Sequence, residues 1–301
     1  MMISALRRSL VALSLCLPCL SVALAGDAAP SPVETRLEAA ALAAQAAVQM
    51  GPRDIELGDQ GVLKLPEGFG FIPRDEAQAL MAAQGNRSSG KGFHGLVVSP
   101  DLAGFVAVEF NPAGYVKDED ARDWNADQLL KNLKDGTEAA NAERRAQGLP
   151  EVSVVGWVEV PSYDPATHRL VWSVAARAKT PQAGGDGVNY NTYVLGREGY
   201  FSLNLVTSMD RVELEKPATR ELLAALSFHE GKRYADFNAA TDRMAEYGLA
   251  ALVGGMAAKK LGLFASLGLF VAKFWKVGLL AMVGLGAGAT RMLGRKKDSP
   301  P

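Results

Sequence analysis

The sequence predicts an α+β domain, an antiparallel β-sheet covered by helices, followed by a C-terminal membrane helix. Three observations carry this. Runs of alternating apolar and polar residues come in pairs around tight-turn residues, the pairs are interrupted by only a few helical stretches, and a glycine-rich apolar run nearly closes the chain. Its 301 residues with 48% hydrophobic content can bury a core.

Residues 1–25 have the three parts of a secretory signal peptide: Arg7 and Arg8, an apolar run over 10–20, and Ala23-Leu24-Ala25 as a cleavage site. Neither Cys16 nor Cys19 follows a small residue, as lipid attachment would require, and both fall in the signal. The mature chain then has no cysteine, so thiol catalysis, thiolate metal sites and disulfides are excluded.

Residues 26–54 form an Ala-rich linker with helical tendency over 33–50, stopped by Gly51 and Pro52 and expected to be a mobile spacer. The exported α+β domain spans 55–235. Within it, "GVLKLPEGFGFIP" predicts two short strands around Pro66-Glu67-Gly68, and residues 75–84 a short helix with Ala77, Leu80 and Met81 on one face. "HGLVVSPDLAGFVAVEF" predicts a hairpin around Ser99-Pro100-Asp101. Asn125, with Gln128 at the capping-box position, starts a long helix whose buried stripe is Leu129, Leu130, Leu133 and Ala140, stopped by Gly148 and Pro150. Two further strand pairs turn at Asp164-Pro165 and Arg197-Glu198-Gly199, a β-meander, and a closing helix is expected over 218–228.

The C-terminal stretch is apolar yet carries Lys259, Lys260, Lys273 and Lys276. A span over 249–272 would put two lysines at its midpoint, at roughly 2.5–3.5 kcal/mol each. A helix over 274–292 instead places Trp275 and Lys276 at one interface and Arg291 at the other, where aromatic and long basic side chains settle. Gly284 and Gly288 within it form a small-residue helix-packing pattern, or merely thin the anchor. Residues 236–273 then form an amphipathic helix along the membrane surface, with Lys259, Lys260 and Lys273 at the interface, and residues 293–301 a basic cytoplasmic tail. Export of the body fixes the orientation: a single-pass protein of the inner membrane, main domain in the periplasm, C-terminus cytoplasmic.

The net charge of −1 divides into +2 for residues 1–25, +6 for residues 246–301 and −9 for the body between them. An acidic body is no footprint for nucleic acid, whereas the basic tail suits membrane lipids. The expected partners are therefore lipids and an envelope protein or a second copy of the chain.

Signals for chemistry are few. His94, His168 and His229 share no metal-ligand spacing, and no metal or cofactor is expected. Asp118, Asp120, Asp164 and His168 are the candidates for acid–base work; local hydrogen bonding in a turn and helix-start acidity are the plainer explanations. Asn189, Asn191 and Tyr193 project from one strand face near Arg197 and could hold a ligand, although a wet sheet face explains them better.

The phrases "LPEGFGFIPRDEA", "GYVKDEDARDWNADQLLKNLKDGTEAANAERRAQG", "VVGWVEVPSYDPATHRLVWS", "VNYNTYVLGREGYFSLNL" and "GKRYADFNAATDRMAEYGLAALVGGMAAKKLGLF" resemble the DUF2167 family of bacterial membrane-anchored proteins. The resemblance implies a Gram-negative envelope protein of unknown function and transfers no catalytic residue. The order of hairpin, helix and meander is also similar to the PsbP/Mog1-like sandwich, an analogy of fold alone. The reading that follows is a binding or scaffold module, more a non-enzyme than an enzyme; the alternatives are an envelope hydrolase using the carboxylates and His168, and an oligomer-forming membrane protein acting through its Gly-rich tail.

Overall fold

The structure, a computed structural model, describes residues 32–83, 90–146, 148–180 and 185–254. The signal peptide, the span over 274–292 with Trp275, Lys276, Gly284, Gly288 and Arg291, and Lys259, Lys260 and Lys273 lie outside these residues. In chain order the strands are β1 (Gln49–Met50), β2 (Arg53–Leu57), β3 (Gly61–Leu65), β4 (Gly70–Pro73), β5 (Phe93–Val98), β6 (Phe105–Asn111), β7 (Val152–Asp164), β8 (Arg169–Ala178), β9 (Gly187–Leu195), β10 (Tyr200–Ser208) and β11 (Leu226–Phe228). The helices are α1 (Pro32–Ala47), α2 (Arg74–Ala83), α3 (Ala126–Ala146), α4 (Val212–Ala225) and α5 (Ala250–Gly254).

Eight strands form one antiparallel sheet in the order β1-β4-β5-β6-β10-β9-β8-β7, and β11-β3-β2 form a second. The predicted hairpins β5–β6, β7–β8 and β9–β10 all pair as neighbours. The two strands of "GVLKLPEGFGFIP" are present but belong to different sheets, so Pro66-Glu67-Gly68 is a crossing between layers and not a hairpin turn.

Alternation along the central strands sends side chains to two cores. On one face Val106, Val108, Phe110, Tyr190, Phe201, Leu203 and Leu205 meet the small sheet and Leu222 and Leu223 of α4. On the other face α1 and α2 pack over Phe93, Leu96, Phe105 and Val206, while α3 and α5 pack over Leu170, Trp172, Val174 and Tyr200. The result is an α+β body of three layers.

Asn125 caps α3 as the sequence indicates, its Oδ1 accepting from the Gln128 N–H at 2.9 Å. The buried stripe of α3 runs on through Thr137, Asn141 and Arg144, and the last two find backbone partners at Val152 and Pro150. Asn141 pins the start of β7, donating to the Val152 carbonyl at 2.9 Å and accepting from its N–H at 3.0 Å. The outer strand β7 carries three register shifts and Pro161, features that discourage edge-to-edge pairing.

Three sequence expectations are corrected. The Ala-rich segment is a packed element and no spacer: Ala44 is buried against α2, and Gln49 and Met50 continue into the main sheet beside β4. The closing helix begins earlier and ends earlier, at Val212–Ala225, because Leu226 to Phe228 are taken up by β3 as a strand. Of the surface helix expected over 236–273, the described residues contain only the end of a short 3-10 turn, Tyr234–Asp236, and α5. Residues 237–249 are an irregular strap in which Asn238, a turn former, accepts backbone hydrogens of Ala240, Thr241 and Asp242.

Candidate functional site

A cleft of roughly 940 Å³ opens at one end of the main sheet. Its walls come from the β2–β3 turn, the starts of α2 and β5, the end of β6, the β9–β10 turn and the strap. This volume suits a small molecule.

Local sequence explains the construction. Gly92 lets the chain entering β5 lie directly on Phe110, whose N–H donates to the Gly92 carbonyl at 2.8 Å; a Cβ at Gly92 would overlap the Phe110 carbonyl oxygen. Gly114, with φ +91°, leaves room for the Arg243 carbonyl, and the strap docks there through Tyr115 N–H to Arg243 O at 2.9 Å and Ala245 N–H to Tyr115 O at 2.8 Å.

Charges of both signs line the cleft, and most are engaged. Lys232 bridges Asp59 and Glu198 at 3.0 and 2.8 Å. Gln60 Nε2 donates to the same two carboxylates, at 3.1 and 2.8 Å, which orients its amide and leaves its buried Oε1 without a partner among the described residues. Arg74 donates to the carbonyls of Phe93 at 2.5 Å and Lys91 at 2.9 Å. His94, with its ring 6.1 Å from Phe201, is held down to a pKa of about 4 by burial and secondarily by the Arg74 charge. Its imidazole is neutral at physiological pH.

Glu109 differs from these groups. No hydrogen bond or ion pair among the described residues reaches its carboxyl, and burial raises its pKa above the ordinary range. The buried hydroxyls of Tyr200 and Tyr247 lie near each other on the same side.

The carboxylates singled out from the sequence have separate fates. Tyr163 donates to Asp118 at 2.6 Å and lies 3.1 Å from His168 Nδ1, so Asp118 and His168 do come together, 3.8 Å apart. His168 is in the left-handed region at φ +51° and stacks on Tyr234, whose hydroxyl donates to the Val116 carbonyl. Burial and the bond to Asp118 raise the Tyr163 hydroxyl well above its usual range, so it holds its proton. This group stands apart from the cleft lining. Asp164 accepts from Ala166 N–H and the Thr167 hydroxyl and shapes the β7–β8 turn.

Asp120 is a cap: its oxygens accept from the N–H groups of Leu249 at 3.1 Å and Ala250 at 3.0 Å, tying the strap and α5 to the body. Asp120→Ala is expected to cost about 1 kcal/mol and to make the segment after residue 236 the first to be cut. Limited proteolysis with mass mapping checks this; unchanged cleavage order would refute it.

The strand face expected to be wet is covered. Asn189 and Asn191 are 6% and 4% exposed beneath the α3 and α5 layer, and Asn191 donates to the Asn189 carbonyl at 3.2 Å. Tyr193 stands beside Trp172 in the same core. Arg197 is committed as well, in a two-point pair with Asp242 at 2.6 and 2.8 Å and a bond to the Gly231 carbonyl. These residues hold the strap and the core and are not offered to a ligand.

The cleft residues Gln60, Arg74 and Glu109 were not singled out by sequence reasoning. The available signal was the lone carboxylate in "FVAVEF": strand alternation puts Glu109 on the face of Phe105 and Ala107, an inward place for a charge.

Fold and cleft define an α+β domain of three layers with a charged cleft at one sheet end. The chain belongs to the family described as protein of unknown function, DUF2167, whose sequence model matches residues 49–283. No curated protein compared with the chain matches it. Among solved structures the chain is similar to the solution structure of cyanobacterial PsbP (CyanoP) from Synechocystis sp. PCC 6803. The identity is 10%, covering 61% of this chain and 94% of that one, with a TM-score of 0.36. Among the described residues no helix is long and apolar enough to cross a membrane.

Proposed function

We propose that this protein is an envelope module that binds a small polar ligand in the cleft at the end of its main sheet. The observation that carries the reading is the open cleft in which Glu109, unlike Asp59 and Glu198, has no cation paired with it. In this reading residues 1–25 export the domain to the periplasm, residues 274–292 anchor it in the inner membrane, and lipids meet the basic residues of the tail. The strap supplies Arg243, Met244, Glu246 and Tyr247 to the cleft wall, so the segment leading to the anchor also touches the ligand space.

Native mass spectrometry on the full chain, extracted gently from its own membrane, tests this. A small molecule released with the protein is the expected result. A clean protein mass, alone or with a stoichiometric protein partner, would overturn the binding reading in favour of a scaffold.

An envelope hydrolase is the second reading, favoured by the contact between Asp118, Tyr163 and His168. Turnover of an envelope substrate that disappears in His168→Ala would establish it in place of the first.

A further inference from the structure

We propose that the inner wall of the cleft binds the ammonium group of an organic amine, with Glu109 as its anionic partner; this rests on the binding reading above and names its ligand class.

Glu109 lies on β6 between Val108 and Phe110 and lines the cleft. Its carboxyl meets no donor among the described residues, and Arg74 and Arg243, which share the cleft, are turned to backbone carbonyls, those of Phe93 and Lys91 for the first and of Pro112 for the second. Burial by itself displaces the Glu109 pKa, with no cation near enough to oppose it. A partly buried carboxyl without a countercharge is stabilised by any cation that enters.

A second acceptor points the same way. The two carboxylates that receive Gln60 Nε2 leave Gln60 Oε1 facing no donor, in a side chain that is 6% exposed. Glu109 and Gln60 thus put two acceptors without a donor in the cleft lining, which a ligand rich in N–H or O–H groups satisfies.

The cation is organic. Dehydrating a metal ion takes several oxygen or nitrogen ligands, and among the described residues no three His, Cys, Asp or Glu side chains converge. An ammonium needs one carboxylate, neutral acceptors and aromatic surface, and Tyr247 lines the same cleft. The body's charge of −9 raises the local concentration of cations.

The test is titration calorimetry on the full chain in mild detergent. Butylamine, cadaverine and glucosamine are compared with butanol, glucose and butyrate, so that aliphatic amines and amino sugars are separated. At least one amine is expected to bind about tenfold or more tightly than its neutral counterpart, and Glu109→Gln to remove that difference. The variant keeps the shape and removes the charge, so its Tm should equal or exceed that of the parent.

Amines that bind no better than their neutral counterparts, or that bind Glu109→Gln as well as the parent, overturn the proposal. If glucose or butyrate binds and the amines do not, the ligand class is wrong while the binding reading stands. If no compound binds and the protein leaves its membrane without a small molecule, both fall.

Discussion

Replacing Asn141 by alanine is expected to lower the stability of the domain by about 2–4 kcal/mol, because it strands two buried backbone groups at once. Asn141 is 1% exposed and exchanges a pair of hydrogen bonds with Val152, at 2.9 and 3.0 Å, joining α3 to the first residue of β7. Alanine leaves that N–H and carbonyl dry and unpaired. Urea unfolding followed by tryptophan fluorescence measures the effect. A midpoint shift at constant m is the predicted signature, and a loss below about 0.5 kcal/mol would show that water reaches the site. Asn141→Asp preserves the acceptor and loses the donor, so it should also destabilise, through a carboxylate facing the Val152 carbonyl.

Acid should weaken the fold through His94. Its folded pKa of about 4 lies below the ordinary histidine value of 6.5, so between these values the unfolded chain takes up a proton that the folded chain refuses. Stability from this group is complete above pH 6.5 and declines as pH falls toward 4, by about 3 kcal/mol in all. The raised Glu109 acts with the opposite sign: its folded form holds a proton longer, so it penalises the fold as pH rises. The contribution of His94 is therefore read as the difference between the parent and His94→Gln across pH 4–7. Parallel pH profiles for the two proteins would show that His94 is free to ionise in the fold.

Much of the strand order was legible because hairpins are local. The turn residues Ser99-Pro100-Asp101, Asp164-Pro165 and Arg197-Glu198-Gly199 sit between runs whose alternation sets register, and β5–β6, β7–β8 and β9–β10 pair accordingly. The small sheet was not legible. Leu226 to Phe228 follow a good helical pattern, and only β3, more than 150 residues earlier, recruits them as a strand. The wet face assigned to Asn189 and Asn191 failed for a related reason: polar side chains in a strand indicate water only when nothing covers them, and α3, α5 and the strap do.

The catalytic candidates show the same limit. Asp118 and His168 were named together and do meet, through Tyr163, which the sequence did not single out. Asp120 and Asp164, of the same residue type and close in sequence to those two, are consumed by a helix start and a turn. Residue type and spacing cannot distinguish an available carboxylate from a committed one.

By itself the sequence determined the α+β class, the three hairpins, the cap of α3 and the family, since each depends on residues that are neighbours in the chain or on long continuous phrases. Tertiary structure alone decided the second sheet, the burial of the asparagine face, the strap and the cleft with Glu109. The physical reason is that burial and hydrogen-bond satisfaction are properties of a place in the folded molecule, supplied there by segments far apart in sequence.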